Sequence, residues 1–150
     1  MARADYHAIG QAIKDVIEAD EGLRRNFPTL KVHVQKALTF GKSPQVVIYL
    51  MRREAPADEQ NISAGTETRF LVRFSVWCFA TDLGGLDEAE EKRDDLMGYV
   101  ELALMAKRQL NGTVGVLWLD GGEFENPETG GTGFTSGGEI QVVTRVTATI

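Results

Sequence analysis

Apolar residues recur at helical spacing in two stretches of the chain. The first stretch predicts a helix from about Ala4 to Ala19, ending near Gly22. Its apolar stripe consists of Tyr6, Ile9, Ile13, Val16 and Ile17. The second stretch predicts a helix from Asp87 to Gln109, where Asp87 followed by Glu90 resembles a capping box and neighbouring acids favour a helix N-terminus.

Alternation of apolar and polar residues predicts five strands. Their expected bounds are Lys31 to Phe40, Gln45 to Arg53, Thr66 to Thr81, Thr113 to Leu119 and Ile140 to Ile150. The second and third strands should form a long antiparallel hairpin, and the last two a second hairpin. The order α-β-β-β-α-β-β indicates an α+β fold, with two main helices packed on an antiparallel or mixed sheet of about five strands. A length of 150 residues fits a single domain.

The predicted strands also carry a second apolar face. Opposite the positions expected in the core, they present Val47, Tyr49, Met51, Leu71, Trp77, Phe79 and Val143. If the helices cover both faces of the sheet, these residues belong to the core. If both helices lie on one face, the second face is too apolar to be left in water, and a contact between subunits should cover it. Periodicity does not decide between the two arrangements.

The formal net charge of −6 argues against general affinity for nucleic acid, which a basic face would provide. The acids concentrate in two segments, 54–67 and 120–139, which contain no lysine or arginine and are predicted to be long flexible loops. The acids of these segments include Glu54, Asp58, Glu59, Asp120, Glu123, Glu125 and Glu128. Exposed acids of this kind keep a subunit soluble.

No pattern in the sequence is typical of a catalytic, metal or cofactor site. His7 and His33 are the only histidines, and neither has a partner at ligand or triad spacing. Cys78 lies inside an apolar strand, where a buried and inert thiol is expected, and a single cysteine is typical of a reducing compartment. The glycine-rich segment 130–138 lacks the Lys-Ser/Thr ending of a phosphate-binding loop. We therefore expect no catalytic residue, no metal, no cofactor and no membrane-spanning segment.

This arrangement is similar to that of the tail terminator proteins of tailed bacteriophages, also called tail completion proteins. The resemblance rests on the opening helix from Tyr6 to Ala19, the hairpin formed by Gln45–Met51 and Phe70–Phe79, the helix from Asp87 to Gln109, and the last strand. It spans essentially the whole chain. It implies a structural, non-enzymatic virion protein that forms a hexameric ring at the end of the tail tube. Such a ring stops polymerisation of the tube and offers a surface to the neck or head.

The resemblance also implies the partners and the location. The partners would be further copies of the chain, the tail tube protein, a neck or head-completion protein, and DNA that passes through the channel without specific binding. The acids named above, from Glu54 to Glu128, would then face this channel or a partner. The location would be the virion tail, assembled in the cytoplasm of the host bacterium. Two alternatives stay open. One is a head–tail joining or neck protein, and the other is a small-molecule-binding or enzymatic α+β domain with a concave apolar pocket.

Overall fold

The computed structural model of the protein describes residues 5–35, 43–54, 67–125 and 133–149. The helices in this part of the chain are α1 (Tyr6–Ala19), α2 (Glu21–Asn26) and α3 (Leu86–Ala106). The strands are β1 (Lys31–Val34), β2 (Gln45–Glu54), β3 (Glu67–Asp82), β4 (Val116–Leu119), β5 (Phe124–Glu125) and β6 (Phe134–Thr149). The predicted α+β class is confirmed.

One mixed sheet contains all six strands, in the order β1-β2-β3-β6-β4, and β5 pairs with β6 beside this path. β1 lies parallel to β2, whereas every other pair is antiparallel. The two central strands, β3 and β6, each have 16 residues and pair along their whole length. The predicted pairings of β2 with β3 and of β4 with the last strand are confirmed.

The helices differ from the prediction at three points. The short helix α2 was missed; Asp20 caps it, since its Oδ2 accepts a hydrogen bond from the Leu23 amide at 3.0 Å. The capping box at the start of α3 was wrong, because the N-cap is Gly85 and no side chain bonds there. α3 also ends at Ala106 and not at Gln109, and the chain then adopts positive φ at Leu110 and Asn111, which no α-helix accommodates.

The predicted loop over 120–139 was wrong in part, because β5 lies within it and β6 begins at Phe134 and not at Ile140. The glycines that suggested a loop are needed inside the strand. A Cβ atom built on Gly137 would lie 2.6 Å from the ring of Phe79, and one on Gly138 would lie 2.2 Å from the sulfur of Met97. Neighbouring side chains therefore occupy the space that a side chain at either position would need. Of the other predicted loop, 54–67, residues 55–66 lie outside the described part of the chain, as do residues 36–40 of the first predicted strand.

Helices α1 and α3 pack on one face of the sheet and α2 packs against both of them, so the described residues form two layers. Alternate residues of β3, from Phe70 to Cys78, face the helices and are buried. They form one core with the apolar stripes of α1 and α3, which contribute Ile9, Ile13, Ile17, Leu96, Val100 and Leu104. Burial of each large apolar side chain contributes about 1.5–3 kcal/mol. No described helix is long and apolar enough to span a membrane.

Candidate interaction surface on the second sheet face

The face of the sheet that points away from the helices is called the second face here. On the central strand β3, every second residue belongs to it, and β2, β4 and β6 contribute the residues paired with these. Its members include Gln45, Val47, Tyr49, Arg52, Glu54, Arg69, Leu71, Arg73, Ser75, Trp77, Phe79, Val116, Trp118, Gly137, Glu139, Gln141, Val143, Arg145 and Thr147. None of the described helices packs on it, so the one-sided arrangement is the one that the chain adopts.

The structure brings most of the predicted interface residues together on this face, but it buries two of them within the chain. Val47 and Val143 are 0% and 1% exposed. Met51 is 42% exposed, and a register shift between Leu50 and Arg52 leaves it without a cross-strand partner. The half-buried members are Tyr49, Leu71, Trp77 and Phe79. These four half-buried side chains could gain burial from a partner.

One end of the second face is an aromatic plate. The rings of Trp77 and Phe79 stack with their centroids 5.8 Å apart and their planes inclined by 19°. The ring of Phe79 also occupies the space that a side chain at Gly137 would need, since a Cβ atom built there would lie 2.6 Å from the ring. Large, rigid and partly exposed aromatic rings are typical of the residues that contribute most to binding between proteins. This end is therefore suited to a protein contact.

The middle of the face is polar and is organised by Arg73, whose side chain is 11% exposed. Its Nη1 donates to Asp120 at 2.7 Å and to Gln141 at 2.9 Å, and its Nη2 donates to Glu54 at 3.1 Å. The hydrogen bond from Arg73 holds the pKa of Glu54 below its ordinary value, and the bond to Asp120 raises the pKa of Arg73. Its Nε is buried without a hydrogen-bond partner among the described residues.

A second polar cluster adjoins the first. The hydroxyl of Ser75 donates to Glu139, and the amide of Gln141 donates to the same carboxylate at 3.3 Å. Ser75 and Glu139 are buried. Glu139, which was predicted to lie in an acidic loop, therefore lies in β6, and its carboxylate accepts hydrogen bonds from Ser75 and Gln141.

The acids expected to face a channel or a partner fall into three groups. Glu54 and Asp120 are held by Arg73, whereas Glu123 and Glu125 are exposed near and on β5. Asp58, Glu59 and Glu128 lie outside the described residues. Their role as a group facing a channel or partner stays a prediction.

The other end of the face is basic, which the sequence analysis missed because it followed the acids alone. Arg69 and Arg145 are exposed, and Leu71 lies between them, paired with Arg145. The signal that could have revealed this end is the alternation along β3, since Arg69 and Arg73 share the face of Trp77. The second face thus runs from an aromatic end through a polar middle to a basic end.

The residues considered for catalysis do not meet. His7 is exposed on α1, His33 is half-buried on β1, and Cys78 is buried in the core, where burial raises the pKa of its thiol. The described residues contain no group of three side chains able to hold a metal ion. A cleft of about 490 Å³ lies beside α2 and α3, lined by Asn26, Phe27, Pro28, Thr29, Pro44, Ala80, Thr81, Lys92, Asp95 and Tyr99. Among the residues that the structure describes, its lining contains no histidine, cysteine or serine.

No protein-family model and no curated protein matches this sequence. Solved structures match it in fold. One is the sheath/tube terminator of an extracellular contractile injection system, PVC, in its extended state, which is 12% identical and covers 100% of this chain with a TM-score of 0.54. The chain has the fold of a sheath/tube terminator. The resemblance to tail terminators that the sequence predicts is therefore confirmed at the level of the fold.

A second match is a chain from the virion of a native gene transfer agent particle. It is 11% identical, and the likeness covers 96% of this chain and 100% of the other with a TM-score of 0.52. The likeness to the PVC terminator, in contrast, covers only 58% of that longer chain. At sequence identities of 12% and 11%, the two matches show a common fold.

Proposed function

We propose that this chain is a structural subunit of a phage-type tail that forms a ring, a hexamer, at the end of the tail tube. The ring ends polymerisation of the tube and presents a surface to the neck or head. The observation that carries this proposal is the fold shared with a sheath/tube terminator along the entire chain. The half-buried second face supports it, because a ring needs an extensive surface for contacts between subunits.

The second face supplies the contact chemistry that the proposal requires. The plate of Trp77 and Phe79 offers rigid apolar area, Tyr49 extends it towards the polar middle, and Leu71 adds apolar area at the basic end. Arg73, Glu54 and Asp120 hold one another in a defined arrangement of charges in the middle of the surface. Such an arrangement favours one alignment of a bound partner over others. Burial of the plate contributes affinity, and the polar middle contributes specificity.

The exposed acids have a separate role in this proposal. Glu123 and Glu125 face solvent, and no lysine or arginine lies near them in the sequence. Carboxylates that line a central channel repel DNA phosphates, so the genome passes through without binding.

The decisive experiment adds the purified protein to polymerising tail tube protein and measures tube length by electron microscopy. Tubes should stop growing when the protein is added, with a ring at one end, and light scattering coupled to size exclusion should show the ring mass. Trp77→Ala should weaken ring formation and termination, whereas His7→Ala, a surface change on α1, should alter neither. Circular dichroism confirms that both variants fold. Tubes that continue to elongate in the presence of the wild-type protein would refute the proposal.

A further inference from the structure

α3 contains a glycine that the described part of the chain does not need. Gly98 lies in the middle of the helix, and a Cβ atom built there meets no atom within 4 Å. Glycine in a helix interior is less stable than alanine, because it loses more backbone freedom on folding. A shallow groove of about 450 Å³ surrounds it, lined by Asp94, Asp95, Gly98, Tyr99, Glu101 and Leu102. The missing side chain thus leaves a notch in the outer surface.

The notch belongs to a stripe along the outer side of α3. Gly98, Leu102 and Met105 follow the spacing i, i+4, i+7 and so share one face of the helix. Leu102 is 70% exposed and Met105 is 41% exposed, which is unusual on a helix whose outer side is otherwise charged. Next to the notch, Asp95 is an exposed carboxylate, and the exposed carboxylate of Asp94 already accepts hydrogen bonds from Arg93. The stripe therefore combines an apolar half with an acidic half.

The basic end of the second face is complementary to this stripe. Arg69 pairs with Thr147 and Leu71 with Arg145, so the two arginines are diagonal neighbours, about 7–8 Å apart along the sheet. Neither forms an ion pair with a described residue, in contrast to Arg73. Two adjacent positive charges repel each other, and the acid opposite Leu71 on β2, Glu54, is already paired with Arg52 and Arg73. They border Leu71, an apolar side chain that is half-buried.

We propose that the outer face of α3 of one copy packs on the basic end of the second face of the next copy. The notch at Gly98 receives the side chain of Arg145, whose guanidinium binds the carboxylate of Asp95. Leu102 then packs against Leu71. This inference rests on the proposed ring. The two surfaces are different, so the contact is head-to-tail, and such contacts generate rings when the rotation closes.

The variant Gly98→Ala distinguishes a role of Gly98 in the contact between copies from a role in the stability of the single subunit. Alanine favours the helix, so the variant should unfold at a higher temperature than the wild type. The added methyl group fills the notch, and the concentration at which copies assemble should rise at least tenfold. Light scattering coupled to size exclusion measures the second effect. A more stable variant that assembles as well as the wild type would overturn the inference.

A charge exchange tests the pairing itself. Asp95→Arg and Arg145→Glu should each weaken assembly at least tenfold, and the chain that carries both changes should recover most of the loss, because positions 95 and 145 again carry opposite charges. Glu18→Arg, an exposed change on α1, is the matched control and should leave assembly unaltered.

The outcomes distinguish this inference from the proposed function. If the wild type assembles on tubes while the single and double exchange variants all assemble equally well or equally poorly, the proposed contact is wrong. The proposed ring is then unaffected. If the wild type neither assembles nor ends tube growth, both are wrong. A fluorescent DNA duplex provides the remaining outcome: binding that Arg145→Glu abolishes, with assembly intact, would make the basic end a nucleic-acid surface and overturn the inference.

Discussion

Replacement of Arg73 by methionine tests whether the polar middle of the second face stabilises the subunit. Arg73→Met keeps an unbranched apolar stem in a similar space and removes the guanidinium. The change eliminates two ion pairs, at 2.7 Å to Asp120 and 3.1 Å to Glu54, and the hydrogen bond to Gln141. It also removes the buried Nε that has no partner among the described residues.

The exposure of the acceptors sets the magnitude. The side chains of Glu54 and Asp120 are 31% and 54% exposed, so water replaces much of what each ion pair contributes, and each is worth about 0.2–1 kcal/mol. The bond to Gln141 adds about 1 kcal/mol. Relief of the unpaired Nε offsets about 1 kcal/mol of these losses. We therefore expect the free energy of unfolding at pH 7 to fall by about 0.4–2 kcal/mol.

The sign of the pH dependence follows from Glu54. Because the hydrogen bond from Arg73 lowers its pKa in the folded state, the stabilisation is complete above the ordinary value of 4.5 and is lost as the pH falls through the lowered value. The difference between wild type and Arg73→Met should therefore be smaller at pH 3 than at pH 7. Urea unfolding followed by circular dichroism at both pH values measures this difference.

A control variant and a contrary result complete this test. Arg52→Met removes a second arginine that pairs with Glu54, but the side chain of Arg52 is 58% exposed, so the expected loss is below about 0.5 kcal/mol. An Arg73→Met protein as stable as the wild type at pH 7, or one equally weakened at both pH values, would refute the reasoning.

Three further predictions concern the core, a cap and the thiol. Phe74→Ala, at a position 1% exposed, should lower the free energy of unfolding by about 3–5 kcal/mol in urea titrations, and a loss below about 1 kcal/mol would contradict its place in the core. Asp20→Ala removes the cap of α2 and should lower stability by about 1 kcal/mol, whereas Asp20→Asn, which keeps an acceptor, should lower it less. Cys78 is buried and its pKa is raised, so a thiol reagent should label it only after unfolding; rapid labelling of the native protein would contradict this.

The regular elements were predictable because their burial is periodic. The apolar stripe of α1 identifies a helix, and the alternation from Phe70 to Cys78 on β3 identifies a strand. Neither pattern depends on which other element packs against it. α2 was missed because its six residues bury a single side chain, Leu23. The start of β6 was missed because Gly137 and Gly138 read as loop residues, while the space they leave is taken by Phe79 and Met97.

The candidate site was predictable only where it is apolar. Trp77, Phe79 and Leu71 could be assigned to a second face from alternation alone. The network of Arg73 could not, since it depends on the register of β3 with β6 and joins Glu54 to Asp120 across three segments of the chain. Nor did alternation show that Val47 and Val143 are buried within the subunit.

The pairing of β3 with β6 has a consequence for how the chain folds. Asp82 pairs with Phe134 and Glu67 with Thr149, so the whole of α3, β4 and β5 separates the two central strands in the sequence. β2 pairs with β3 through a local hairpin and can form early, but β3 acquires its second neighbour only when the last strand arrives, and non-local pairing of this kind slows folding. Pulsed hydrogen exchange should therefore show amides of β2 protected before those of β6. Until then the other edge of β3 is unpaired and open to the same strand of another nascent chain.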